Sequence, residues 1–190
     1  MSLVLSKLRG TVLVTGALML VLVACMPVTG VYSPDGLIEV RVGLDSAGQP
    51  GYEVRYDGSR IVAWSHLGMA IADAETPTGR YRLEDVTRTS HDAVWEQPWG
   101  ERRQVRDDHN ELLVTFAAGA EQTFRVRVRV FDDGVGFRYE FDGDGDVAIA
   151  EELTEVNVTG QGTAWWQPAD GKVRYEHLYR STSIDEMDAA

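Results

Sequence analysis

The sequence predicts an all-β fold, an antiparallel β-sandwich, on three observations. Apolar residues recur with period two from Tyr32 onward, turn-forming residues punctuate the chain at short intervals, and no long 3.6-residue pattern follows the first 24 residues. The chain has 190 residues, 44% of them hydrophobic and 25% charged, which suits one globular domain.

Residues 1–24 read as a targeting device. Lys7 and Arg9 form a short positive region, and Thr11 to Ala24 is an uncharged apolar run, too short for a comfortable membrane span and right for a signal peptide. The run ends in Leu22-Val23-Ala24-Cys25, which resembles a bacterial lipobox, with Cys25 as the lipidated residue. Cys25 is the only cysteine, so no internal disulfide is available. Met26, rather than an aspartate, follows it, pointing to the outer membrane of a Gram-negative envelope, facing the periplasm or the cell surface. Residues 25–31 are then a lipidated linker, and residues 32–190 the folded domain.

The strands follow in order. Ile38, Val40, Val42 and Leu44 alternate with Glu39, Arg41 and Gly43, and Tyr52, Val54 and Tyr56 alternate with Glu53 and Arg55. The clearest case sets Phe124, Val126, Val128 and Val130 against Arg125, Arg127 and Arg129. A turn at Asp132-Asp133-Gly134 leads from it into Phe137, Tyr139 and Phe141, a hairpin signal. Further turns are expected at Ser33-Pro34-Asp35-Gly36, Asp57-Gly58, Thr76-Pro77-Thr78-Gly79 and Asp142-Gly143-Asp144-Gly145. An antiparallel sheet with one wet face accounts for the arginines of residues 125–129 without a ligand. A helical turn is expected only at Ser183-Ile184-Asp185-Glu186.

Charge and motifs exclude several functions. A formal net charge of −12 and an isoelectric point near 4.7 lack the basic footprint of a nucleic-acid binder, and removal of residues 1–24 would make the chain more negative still. Asp142, Asp144 and Asp146 alternate like the start of an EF-hand, but Val147 stands where glycine is needed and Leu153 where a bidentate glutamate belongs. His66, His91, His109 and His177 form no zinc spacing, and no G-x-S-x-G elbow is present. Asn157-Val158-Thr159 matches a glycosylation acceptor, which carries no information in a bacterial lipoprotein.

Two aromatic and charged segments remain. The first, Trp95-Glu96-Gln97-Pro98-Trp99-Gly100-Glu101-Arg102 running on to Leu112, reads as a segment shaped by turn residues rather than core periodicity. The second is Trp165-Trp166-Gln167-Pro168-Ala169-Asp170, followed by Tyr175-Glu176. Tryptophan in such settings serves either core packing or stacking on sugar rings with acids nearby, and the residues alone leave both open.

The order Ser33-Pro34-Asp35-Gly36, Trp99-Gly100-Glu101-Arg102, His109-Asn110-Glu111-Leu112, Phe131-Asp132-Asp133-Gly134-Val135-Gly136-Phe137-Arg138-Tyr139, Ala164-Trp165-Trp166-Gln167-Pro168-Ala169-Asp170 and Tyr175-Glu176 resembles the N-terminal domain of glycoside hydrolase family 97. The resemblance spans nearly all of residues 32–190. It implies a galactose-mutarotase-like super-sandwich, followed in full-length members by a (β/α)₈ catalytic barrel. It also implies α-glucosidase or α-galactosidase activity on an α-linked oligosaccharide, with calcium as cofactor.

Glycoside hydrolysis needs two carboxylates across one bond, and in this family they come from the barrel. The resemblance therefore implies no catalytic residue here, a sandwich truncated at its C-terminus, and a chain inactive by itself. It makes Trp165, Trp166 and Asp170 the candidate substrate-binding residues and Glu176 the candidate calcium ligand. The expected partners are the barrel, the sugar and, through Cys25, the membrane, with no nucleic acid. The alternative is a stand-alone carbohydrate-binding lipoprotein of the bacterial envelope.

Overall fold

The computed structural model describes residues 28–72, 80–118, 122–141, 146, 148–168 and 178–187. Two four-stranded antiparallel meanders face each other. The first has order β1 (Val28–Tyr32), β2 (Ile38–Leu44), β3 (Pro50–Tyr56) and β4 (Ser59–His66). A short strand β5 (Met69–Ile71) leads toward the second sheet, formed by β6 (Arg82–Glu96), β7 (Gln104–Ala118), β8 (Gln122–Phe131) and β9 (Gly134–Glu140), again in sequence order. β10 (Ile149–Glu152) then pairs with β5. β11 (Thr163–Trp166) pairs with β12 (Arg180–Ser183), which runs into a 3₁₀ turn at Ile184–Glu186. The all-β antiparallel sandwich is as expected, and the one helical turn among the described residues lies where it was anticipated.

The period-two pattern supplies the core. Val31, Ile38, Val40, Val42, Leu44, Tyr52, Val54 and Leu67 come from the first sheet or its immediate exit, and Leu112, Val114, Phe116, Val126, Val128 and Val130 from the second. Burial contributes roughly 1.5–3 kcal/mol for each such valine, leucine, isoleucine or phenylalanine relative to exposure. Tyr56, predicted in phase with Tyr52 and Val54, is exposed, because it lies at the end of β3 beside the turn.

Turn chemistry fixes the registers. Asp57 (φ 45°) and Gly58 (φ 74°) form a two-residue link between Tyr56 and Ser59, the paired left-handed conformation that matches strand twist. The Ser33 hydroxyl donates to Asp35 Oδ1 at 2.6 Å and accepts the Ile38 N–H at 2.9 Å. Asp132 Oδ1, from the β8–β9 turn, accepts the Asp35 N–H at 2.8 Å. Two motifs 97 residues apart thus meet at one end of the sandwich.

The outer faces are laced with ion pairs. Glu53 faces outward yet is buried, because Arg41, Arg55 and Arg60 approach it at 3.5, 2.9 and 3.0 Å. Gly51, on the same strand, lies against the Trp64 indole.

Three expectations are altered or left aside. β1 starts at Val28, so residues expected in the linker are paired with β2. Trp95, Glu96 and residues 104–112 are strand, and only residues 97–103 form the tip of the long β6–β7 hairpin; cross-strand hydrogen bonding, not turn chemistry, shapes most of that segment. The turns expected at residues 76–79 and 142–145, the leader and Cys25 lie outside the described residues.

Candidate functional site

The β11–β12 ribbon carries the aromatic pair. Trp165 pairs with Ser181 and Trp166 with Arg180, so alternation along β11 sends the two indoles to opposite sides. Trp165 is 70% exposed and Trp166 only 8%. The Trp166 indole N–H donates to Thr182 Oγ1 at 3.1 Å, and the Arg180 guanidinium carbon lies 5.1 Å from the ring centroid, within cation–π range. Trp166 is thus seated in the ribbon, whereas Trp165 presents an open ring. Below the ribbon, the Ile184 N–H donates to Gly162 O at 3.1 Å and the Ser183 hydroxyl to Glu186 Oε2 at 2.8 Å, which closes its base.

The segment leading into the ribbon is fastened along β4. The N–H groups of Leu153, Glu155 and Thr159 donate to the carbonyls of Gly68, His66 and Ile61, and Asn157 O accepts the Ala63 N–H, all at 2.8–3.0 Å. Val158 bridges Val62. Side chains reinforce this line: the Tyr52 hydroxyl donates to Glu155 O at 3.1 Å, and the Asn157 amide donates to Trp64 O at 3.0 Å. His66 completes it, with Nε2 3.2 Å from Asp45 Oδ2 and Nδ1 3.0 Å from Glu155 Oε2.

Flanking carboxylates favour an imidazolium with both ring N–H groups donating. The Asp45 hydrogen bond, followed by Glu155, raises the His66 pKa against its partial burial. The Glu155 carboxyl is lowered, first by the His66 backbone N–H and then by the ring. Burial works against the Asp45 charge, yet the Gln49 N–H and His66 hold its pKa below the usual carboxylate value.

Of the site residues expected from the sequence, Trp165 and Trp166 are neighbours with different surroundings. Asp170, Glu176 and Cys25 lie outside the described residues. Among the described residues, no group of three or more His, Cys, Asp or Glu is arranged to hold a metal ion. Sequence reasoning missed Thr182 and Arg180, which seat Trp166, and the Asp45, His66 and Glu155 cluster. Neither group carries a local sequence signal, since each joins residues brought together only by strand pairing or loop packing.

A second aromatic surface is the β6–β7 tip, where Trp99 is 83% exposed and Trp95 half-exposed. Gln97 holds this tip, its N–H donating to Arg103 O at 3.0 Å and its side-chain amide to Arg102 O at 2.6 Å.

A family model described as Glycosyl-hydrolase 97 N-terminal matches residues 31–190. A Glycoside Hydrolase Family 97 enzyme from Pseudoalteromonas sp. strain K8, solved in complex with panose and with acarbose, is 37% identical with a TM-score of 0.73; the match covers 81% of this chain and 24% of that one. A beta-arabinopyranosidase structure is 26% identical with a TM-score of 0.71, over 80% of this chain and 26% of the other. A retaining alpha-galactosidase from Bacteroides thetaiotaomicron is 20% identical over 132 residues, which are 70% of this chain and 19% of that protein. The chain therefore spans about a quarter or less of the length of these relatives.

Proposed function

The chain belongs to the glycosyl-hydrolase 97 N-terminal family, and from that premise we propose that it is the non-catalytic sandwich of a family 97 α-glycosidase, an α-glucosidase or α-galactosidase. The observation that carries this is the family match over residues 31–190. In the longer enzyme the sandwich braces a (β/α)₈ barrel that supplies both catalytic carboxylates. Trp165 offers an aromatic face to an α-linked oligosaccharide, Trp166 holds that strand in place, and Asp170 adds a hydroxyl-binding carboxylate. Binding of panose and acarbose by the Pseudoalteromonas relative supports a sugar of this class.

Glu176 is the candidate calcium ligand. A hard cation takes six to eight oxygen ligands, and the described residues offer no metal-binding cluster. Glu176 would then be one ligand among several contributed from elsewhere in the longer enzyme. Cys25 is the proposed lipid anchor, placing the protein at the outer membrane. Radiolabelled palmitate incorporation, lost in Cys25→Ser, is the expected result; equal labelling of both proteins would refute the anchor.

Hydrolysis of p-nitrophenyl α-glucoside and α-galactoside tests the main reading. The purified chain should show none with or without calcium, and turnover above background would overturn its non-catalytic assignment. The exposure of Trp165 favours a second reading, a stand-alone carbohydrate-binding lipoprotein. Saturable calorimetric binding of malto- or galacto-oligosaccharides to the isolated chain, abolished in Trp165→Ala, would favour that reading.

A further inference from the structure

On the outer face of the second sheet, arginines of β8 and β9 crowd around two glutamates. Arg127 on β8 stands directly across from Arg138 on β9, and Arg129 across from Gly136. Like charges directly opposite in a sheet are destabilising unless an anion intervenes. Two carboxylates intervene, and both are shared. Glu140 lies 2.6 Å from Arg127 and 2.7 Å from Arg138, while Glu111 contacts Arg127 and lies 2.9 Å from Arg129. Arg125 also approaches Glu140, at 3.9 Å, so four guanidinium groups share these two carboxylates, on a chain whose formal net charge is −12.

The same residues line a recess of about 210 Å³. Gly136 leaves its floor open, since nothing lies within 4 Å of where its side chain would begin. Phe131, tilted against His109 with ring centroids 5.0 Å apart, forms its apolar end. Arg138 and Arg129 form its rim, with side chains 65% and 44% exposed. This volume is below the ~300–1,000 Å³ of drug-sized pockets and suits a single sugar residue.

We propose that this recess binds the carboxylate of an acidic sugar, a hexuronate, with Arg129 and Arg138 as the clamp and Phe131 and Gly136 as the surface under the ring. Planar guanidinium forks match carboxylates bidentately, and both rim arginines keep part of the guanidinium open to solvent. The sugar part of the assignment rests on the carbohydrate reading above; the oxyanion part rests on the arginines alone. The recess belongs to the β8–β9 hairpin, not to the ribbon that carries Trp165.

Calorimetry and amide chemical-shift titration with methyl α-glucuronide, methyl α-glucoside, acetate and inorganic phosphate test it. Glucuronide should saturate below about 10 mM, weaken with added salt, and exceed the other three by about tenfold or more. The largest shifts should fall on Val135 to Arg138. Gly136→Val, which fills the floor with a good strand former, and Arg138→Gln, which removes one fork, should each weaken binding by about tenfold without unfolding the chain.

Absence of saturation, equal binding of the glucoside or phosphate, or unchanged affinity in both variants would overturn the proposal. Neutral oligosaccharide binding, read through Trp165→Ala, stands or falls separately, so failure at either site is distinguishable from failure at the other.

Discussion

Glu155 grips His66 twice, its Oε2 accepting the backbone N–H at 3.1 Å and lying 3.0 Å from ring Nδ1. Asp45 holds the opposite ring nitrogen, so the protonated ring satisfies both carboxylates and a neutral ring only one. Because the His66 pKa is raised, its contribution is fully present below the ordinary value of 6.5 and is lost as pH rises through the raised one. Because the pKa values of Asp45 and Glu155 are lowered, their contribution is present above the ordinary carboxylate range and is lost as pH falls through the lowered values. The latch therefore works between those limits. The thermal midpoint should fall as pH rises from about 6 to about 9, less steeply in His66→Gln and Glu155→Gln. Parallel slopes in all three proteins would show that the latch contributes nothing.

Gly51 is required by contact rather than by backbone conformation. A side-chain carbon there would lie 2.6 Å from the Trp64 ring and 2.8 Å from Ser65 O. Neither neighbour yields easily: Ser65 is buried in β4, and the Trp64 indole nitrogen is itself buried and finds no hydrogen-bond partner among the described residues. Gly51→Ala should cost about 1–3 kcal/mol of overpacking, seen as a lower urea midpoint at unchanged slope. A loss under about 0.5 kcal/mol would mean that Trp64 moves freely.

These two cases mark what the sequence reveals. Val40, Val42, Val126 and Val128 were legible as core because their partners recur every second residue on the same strand, between recognisable turns. Asp132 was legible as a turn residue, but its bond to the Asp35 N–H depends on how the two sheets stack. The fastening of residues 153–159 along β4 was not legible, since backbone groups make most of it and any sequence supplies those. At the candidate site, Trp165 and Trp166 were named together; only the pairing with Arg180–Ser183 separates an open ring from a seated one. The long β6–β7 hairpin was hidden because its distal half buries no apolar face and so shows no clean alternation.

Glu140 makes the second sheet sensitive to acid. Its pKa is lowered to about 2, first by the hydrogen bond from Arg127 and then by Arg138. With an ordinary value of 4.5, its contribution is present above that pH and is lost as pH falls toward about 2. Glu140→Gln should therefore be less stable than the parent at neutral pH, and the gap should close between about pH 4.5 and 2. Urea midpoints along that range measure it. A gap independent of pH would assign the loss to packing instead.

Trp165 and Trp166 provide the sharpest comparison, because the two substitutions remove the same side chain from adjacent positions with opposite surroundings. Trp166→Ala empties a buried seat and removes the ring that donates to Thr182 Oγ1 and lies under the Arg180 guanidinium. A buried tryptophan lost in this way costs about 3–5 kcal/mol in a well-packed core. In a two-stranded ribbon the loss should appear first as local opening, with faster amide exchange at Thr163–Trp166 and Arg180–Ser183. Trp165→Ala removes an exposed ring and should change global stability by less than about 0.5 kcal/mol. If Trp165 stacks on sugar in the longer enzyme, this second variant should raise KM or Kd for panose while the exchange pattern stays native. Trp166→Ala should instead impair binding only together with ribbon opening. Loss of binding in Trp166→Ala with native exchange would reverse the assignment and make the seated ring the sugar contact.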